Sequence, residues 1–435
     1  MSFPAYQSYK ESGVEWLGQV PSHWDTIQLR HLVDCCDGAR VPLNAEQRAD
    51  RKGLIPYWGA NSIVDYVDAA LFDEELVLLG EDGAPFLDRT KPVAFRSVGP
   101  IWPNNHVHVL RPLHSGSARY LAYALNSTDY VPFIDGSTRD KLTQSSMVGI
   151  PVAWPSKSER DAIAAFLDRE TAKIDALVEA QERLIALLKE KRQAVISHAV
   201  TKGLDPSAPM KDSGVEWLGQ VPAHWEVTRL KRVVSSITVG IVVEPSKYYV
   251  DEGVPALRSL NVRPGRIRPD DLVFISDEAN ELHSKSKLNA GDIVAVRTGQ
   301  PGTAAVVPSE FHGANCVDLI IIRKGHELCE QFLCWFLASD GALQQFAEGS
   351  GGAIQLHFNV SAANELVLAV PPLAEQQRIA TELDRNVRML DALVSESEAA
   401  ITLLQERRAA LISAAVTGKI DVRANAAPMQ EANAA

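Results

Sequence analysis

Apolar residues recur in alternating steps of four and three at Ile163, Leu167, Ile174, Leu177, Leu184, Leu188 and Val195. That spacing keeps one stripe of a helix turned toward a partner helix. Neither proline nor glycine interrupts the chain between Ser156 and Gly203, so one long helix is predicted. Ser156 and Glu159 fit a reciprocal cap at its start, and Gly203 fits its stop. The same register returns at Ile379, Leu383, Leu390, Leu393, Leu404 and Leu411, with Ala400 in the place of Leu184. Both stripes are broken at matching positions, Glu170 and Asn386, Gln181 and Ser397, Lys191 and Arg407. Shared polar interruptions fix register, which predicts that the two helices pack on each other. The alternative is that each lies on its neighbouring globule as an ordinary amphipathic element.

Between the helices the pattern changes. Short β-forming runs broken by Gly and Pro turns, such as residues 54–67 and 75–80, precede a helical stretch near residues 117–127. Residues 253–262, 291–307 and 316–324 repeat the theme, followed by a helical stretch near 328–339. Each segment reads as α+β. The two predicted helices sit at similar distances from the closing blocks, so the two folds are expected to be equivalent despite diverged sequences.

The chain is an internal duplication. Residues 12–21 recur unchanged as 213–222, each copy running on into a His-Trp pair, His23-Trp24 and His224-Trp225. Residues 155–205 and 371–421 align without gaps at close to half identity. Near-constant blocks frame divergent segments, as expected of a shared scaffold presenting two recognition surfaces. Trp16, Trp24, Trp217 and Trp225 lie in the constant heads, where core packing at the helix ends and a docking surface are both open. The expected division is 1–154, 155–205, 206–370, 371–423 and a low-complexity tail at 424–435, expected to be disordered.

Length decides how these parts connect. A helix of about 45 residues spans on the order of 65 Å, whereas a globule of about 150 residues is roughly 40 Å across. A globule of that width does not return the chain to the far end of the first helix. The expected architecture is two α+β globules at opposite ends of a long antiparallel two-helix coiled coil, a pseudo-twofold repeat that brings the C-terminus back beside the N-terminus.

Composition excludes several classes. No apolar run is long enough to span a bilayer, and the N-terminus lacks a basic flank followed by an apolar stretch, so a cytoplasmic protein without membrane contact is expected. The five cysteines have no C-x-x-C spacing, and no metal site is expected. The formal charge is −12. Residues 22–154 hold 12 basic and 16 acidic side chains, and residues 223–370 hold 13 and 17. Neither segment is a basic domain, so any DNA contact needs locally clustered cations or help from partner subunits. No Asn/Asp-Pro-Pro-aromatic motif, Walker loop or clustered nuclease carboxylates occur. A non-catalytic recognition module is expected.

The Pro-x-His-Trp heads, YWGANSIVDYV followed by LLGEDG, GDIVAVRTGQPG, and PPLAEQQRIA opening the last helix resemble the specificity subunit of type I restriction-modification systems. The similarity runs to about residue 423; the SERDAIA start of the first helix departs from the PPLAEQQRIA form. The resemblance implies two target-recognition domains, each reading half of a split double-stranded DNA sequence. It also implies two methyltransferase subunits and restriction/translocase subunits as partners. No cofactor is expected on this chain, since S-adenosylmethionine would sit on the methyltransferase partners. A coiled-coil scaffold that binds proteins and not DNA is the competing reading.

Base readout needs Arg, Lys, Asn or Gln on loops or helix ends, with hydroxyls and amides on phosphates. The first candidates are Arg258, Ser259, Asn261, Arg263, Arg266 and Arg268, gathered around a Pro-Gly turn. Arg297, Thr298 and Gln300 follow, where a strand runs into a Gly-Pro turn. A third set is Ser350 and Gln355, whose counterparts in the first segment are Ser137, Thr138, Arg139 and Lys141. Tyr57, Trp58 and Asn61 complete the set.

Overall fold

The computed structural model describes residues 3–135, 139–349 and 358–425. The chain divides into two compact units: Met1–Arg183 with Ser397–Ala435, and Leu184–Glu396. Each long helix therefore contributes one part to each unit.

Both units are built to one plan. In the first, the head block folds as a hairpin, Tyr9–Glu11 against Gln19–Pro21, and Asp25–Gln28 pairs antiparallel with Pro151–Trp154. A four-stranded antiparallel sheet then runs in the order Val33–Cys35, Val107–Pro112, Leu76–Gly80, Ala94–Ser97. A second sheet orders Ile63–Val67, Lys52–Trp58, Pro100–Pro103, Phe72–Asp73 and contains one parallel pair, with Tyr57 opposite Trp102. The second unit repeats the hairpin with Met210–Asp212 and Gln220–Pro222, and the closing pair with Glu226–Arg229 and Val367–Val370. Its first sheet orders Ser236–Val239, Leu319–Arg323, Ile293–Val296, Ala304–Val306. Its second, Tyr249–Val250, Val273–Ile275, Val254–Leu257, Asn315–Cys316, again has one parallel pair, Ala256 opposite Asn315. The expected equivalence of the folds holds strand for strand in the first sheets, whereas the second sheets share the parallel pair and one antiparallel neighbour and differ in the fourth strand: Phe72–Asp73 flanks Pro100–Pro103 in one, and Tyr249–Val250 flanks Val273–Ile275 in the other.

Burial explains why the strands read as apolar runs. Leu76, Val77, Leu78 and Leu79 are wholly buried, as are Ile320, Ile321 and Ile322, because these central strands are covered on both faces. The short helices Ala118–Asn126 and Glu330–Leu337 supply one cover, close to their predicted bounds.

The long helices span Lys157–Lys202 and Leu373–Val416, and they pack together within each unit. In the first unit Asp175 meets Arg408 at 2.9 Å, while Glu159 near one helix start lies 3.8 Å from Arg423 beyond the other helix end. In the second, Arg192 meets Asp391 at 3.0 Å, and Gly203 lies against Glu375. Rising numbers on one helix meet falling numbers on the other, so the paired segments are antiparallel in each unit. The predicted stripe is sealed at Ile163, Leu167, Ile174, Leu188, Ile379, Leu383 and Leu390, all buried. Leu177, Leu184 and Leu393 remain 41–52% exposed. The difference is geometric: near its ends each helix is also covered by a globule, whereas a bare two-helix seam shields its stripe only partly. Both expected packings therefore coexist.

The expected cap at Ser156 is only half made. The Glu159 N–H donates to Ser156 Oγ at 3.4 Å, but the Glu159 carboxylate turns to the head block, accepting from His23 Nε2 at 3.1 Å and Trp24 Nε1 at 3.2 Å. Gly203 ends the first long helix at φ +78° and Gly418 follows the second at φ +73°. A Cβ on Gly418 would lie 2.2 Å from Pro21 and 3.2 Å from Trp24, and one on Gly203 would lie 3.2 Å from Trp225. Trp24 and Trp225 are fully buried, so these two head tryptophans are core residues that close the helix ends. The two termini meet within the first unit, where the Asp421 N–H donates to Pro4 O at 2.7 Å and Tyr9 Oη donates to Gly418 O at 3.1 Å.

Candidate nucleic-acid interface

The shared plan brings three chain segments to one place in each unit. The first leaves the parallel strand pair: Trp58 O accepts from Asn104 N at 2.9 Å, and its counterpart Leu257 O accepts from Val317 N at 2.8 Å. The second leaves the buried central strand, at Glu81 in the first unit and Arg297 in the second. The third returns onto that residue: Leu142 N donates to Glu81 O at 2.7 Å, and Phe358 N donates to Arg297 O at 2.9 Å. The segments leading into these returns are the loops matched from sequence, and Ser137, Thr138, Ser350 and Gln355 in them lie outside the described residues. Polar side chains at these strand ends stand on a rigid base, the arrangement that binding loops use.

In the first unit the site gathers several expected residues and adds others. Asn61 is exposed and its Nδ2 donates to Gly83 O at 3.1 Å. The Arg139 guanidinium lies beside Gly83, whose Cβ position is 3.6 Å from Arg139 Nε. Lys141 Nζ is 3.3 Å from Glu81. Trp58 is half-buried against Phe95 with ring centroids 5.5 Å apart. Tyr57 is placed differently: it is 1% exposed, and its hydroxyl accepts from Leu43 N and donates to Leu43 O. It holds the strand rather than facing outward.

Beneath this loop lies a charged network that the sequence reading missed. Arg40 donates to Glu81 at 2.7 Å and to Val107 O at 2.8 Å. His106 Nδ1 meets Asp82 at 2.5 Å. His108, 1% exposed, places Nδ1 2.5 Å from the Asp37 carboxylate and donates from Nε2 to Leu142 O at 2.9 Å. Both ring nitrogens are thus engaged, one by a carboxylate and the other by a backbone carbonyl. Burial pushes the Asp37 carboxyl upward, but the bonds from His108 and Val109 N–H together with Arg40 outweigh it and leave its pKa below the ordinary value. Cys35 is pushed up to about 11 by burial. Ligand atoms of Cys35, Asp37 and His108 lie within 4.8 Å of one another; with both imidazole nitrogens already committed, the trio works as a hydrogen-bond anchor for the returning loop. Glu81-Asp82 follows the buried central strand as Arg297-Thr298 does in the second unit, but the partners Arg40 and His108 lie far from it in sequence.

The second unit separates its candidates into three groups. Asn261 is wholly buried and locks a loop, accepting from Arg258 N and donating to Arg268 O and Asp270 O. Arg258 donates to Asp271 O at 2.7 Å, Ser259 is exposed, and Arg268 pairs with Asp270. Arg263 and Arg266 belong to a hairpin, Val262–Arg263 with Arg266–Ile267, that packs toward the long helices. Arg297 donates to Asp318 at 2.7 Å and borders a cavity of about 450 Å³ with Val239, Val242, Ile320 and Asn359. Thr298 and Gln300 continue its loop, Gln300 exposed at the turn. Asp318 holds a left-handed φ of +51°, a conformation that Asp tolerates at local cost. The position that is acidic in one unit is thus basic in the other.

Similarity to known proteins follows the same lines. Residues 21–186 match the family model described as the type I restriction modification DNA specificity domain. A Haemophilus influenzae sequence named as a type I restriction enzyme specificity subunit is 26% identical over 87% of this chain and 91% of its own length. The type I restriction enzyme MjaVIII specificity subunit of Methanocaldococcus jannaschii is 20% identical over 96% and 98%. Along most of its length the chain is thus similar to type I restriction enzyme specificity subunits. A solved chain, described under complex assembly and conformational transition of the type I R-M system, superposes with a TM-score of 0.66 at 15% identity, covering 91% of this chain and 98% of that one. At that identity it supports the shared fold. Among the described residues no helix is long and apolar enough to cross a membrane.

Proposed function

We propose that this specificity subunit reads a bipartite double-stranded DNA target, one half-site per unit, with the paired long helices acting as a spacing gauge. One observation carries the reading: the same three strand ends recur in both units but present different groups, Asn61, Glu81, Asp82, Arg139 and Lys141 in one and Arg258, Arg297 and Gln300 in the other. A common frame with unlike reading groups is what two different half-sites require. Helices of 46 and 44 residues rise about 65–70 Å, a length suited to such a gauge.

The net charge of −12 is poorly suited to gripping DNA unaided. Two methyltransferase subunits, carrying S-adenosylmethionine, and restriction/translocase subunits are the partners that would complete the grip and supply chemistry. Mapping methylated adenines in genomic DNA with and without this gene tests the reading. A split motif that disappears with the gene is expected. Replacing residues 22–154 with the corresponding segment of another specificity subunit should change one half of that motif alone; unchanged methylation, or change in both halves, would count against it.

A further inference from the structure

Arg263 and Arg266 do not join the strand-end site of the second unit. Their Pro-Gly turn instead leans on the long helices, and with Arg192 and Arg388 it lines a cavity of about 620 Å³. The carboxylates in that cavity are already engaged. Asp384 accepts from Gln331 Nε2 at 3.1 Å and Trp335 Nε1 at 2.9 Å, and Asp391 accepts from Arg192 at 3.0 Å. Arg388 donates Nε to the Asp384 carbonyl, and Arg263 donates to its own neighbour's carbonyl, Val262 O. Four guanidiniums thus face two carboxylates, one of which is held by neutral donors.

The first unit has the same floor without the turn. Its Asp168, the repeat counterpart of Asp384, accepts from Arg119 and from Tyr123 Oη. The strands joined there by residues 59–62 are joined in the second unit by residues 258–272, and the added length carries the arginines.

We propose that this cavity grips DNA backbone phosphates in the spacer beside the second half-site. The inference rests on the proposed bipartite reading and deepens it: a sequence-neutral phosphate clamp, seen among the described residues in one unit, separate from the groups that read bases. On the proposed reading the long helices span the spacer, so a cavity against them would face it, and guanidinium forks suit phosphate oxygens.

The test titrates the complex of this chain with its methyltransferase subunits against a duplex bearing the mapped target and against a random duplex, across a salt series. R263A/R266A should weaken both duplexes by a similar factor and lower the log-affinity against log-salt slope by about 2, at roughly 0.9 per phosphate contact. R263K/R266K should restore most of the slope. Neutral methylphosphonate linkages on the second half-site's side of the spacer should reproduce the loss in the parent protein, and those on the other side should not. An unchanged slope, a shift in base preference, or loss of methyltransferase co-purification would overturn the clamp. Failure of the parent complex to prefer the target over random sequence would instead sink the bipartite reading.

Discussion

Arg192 and Asp391 form an ion pair between the two long helices, and adding the repeat offset of 216 to the first and subtracting it from the second gives Arg408 and Asp175, the pair made in the other unit. The duplication has thus produced an antiparallel contact that maps onto itself with the helices exchanged. With partner carboxylates 56–57% exposed, each pair adds little stability; its value is register. Inserting seven residues at equivalent points in both helices preserves that register and lengthens each by about 10 Å. The tolerated spacer should grow by roughly three base pairs at 3.4 Å each, with both half-sites unchanged in a methylation map. A spacer that ignores helix length would refute the gauge.

Glu159 and Glu375 occupy matching positions but are not equally stressed. Glu159 is 5% exposed and accepts from the buried Trp24 indole. Glu375 accepts from the half-exposed His224, while the Trp225 indole has no partner among the described residues. Glu159→Ala strands a buried donor and should cost about 1–3 kcal/mol. Glu375→Ala removes a largely exposed bond and should cost under about 1 kcal/mol. Denaturant unfolding of the two variants checks the asymmetry, and equal losses would contradict it.

Much of this was written in the chain. The four-three stripe located both long helices because a helix that meets another helix has one repeating face. The apolar runs at 76–79 and 320–322 located the central strands because burial on both faces leaves no alternation. The site was only partly legible. Asn61, Arg139 and Arg297 stood out as candidates because polar groups beside turns are a local signal. Arg40, Glu81, Asp82 and His108 were missed because their pairing joins segments far apart in sequence, which only the folded sheet brings together. Tyr57 and Asn261 were read as outward-facing, yet both turn inward. Nothing local distinguishes a loop that presents an amide from one that is locked by it.

Asp37 gives the first unit a defined acid sensitivity. Its folded pKa lies below the ordinary 3.8 because His108, Val109 N–H and Arg40 outweigh burial. A depressed carboxylate stabilises the fold above its unfolded value and loses that contribution as pH falls through the folded value. Asp37→Asn should therefore destabilise the protein at neutral pH, and its penalty should shrink as the pH drops below about 3.8. Unfolding midpoints measured at pH 7 and pH 3 read this directly; a penalty independent of pH would mean that Asp37 acts through shape alone. Its loss should also loosen the loop at Leu142 that His108 holds, seen as faster amide exchange there.

Arg297 and Arg139 stand in the strand-end sites of different units, on different segments of the shared plan, so their substitutions should separate the two halves of the target. Arg297 is oriented by Asp318, and Arg139 lies beside Gly83. A guanidinium that reads a base contributes about 1–3 kcal/mol of discrimination at that base pair. Arg297→Ala should relax one position in one half-site, and Arg139→Ala one position in the other, while overall complex assembly stays intact. Asp318→Asn keeps the shape and weakens the orientation of Arg297, so it should relax the same position as Arg297→Ala by a smaller factor. Genomic methylation maps of the three variants decide the matter: relaxation of both half-sites by a single substitution, or of neither by all three, would break the assignment of one reading surface to each unit.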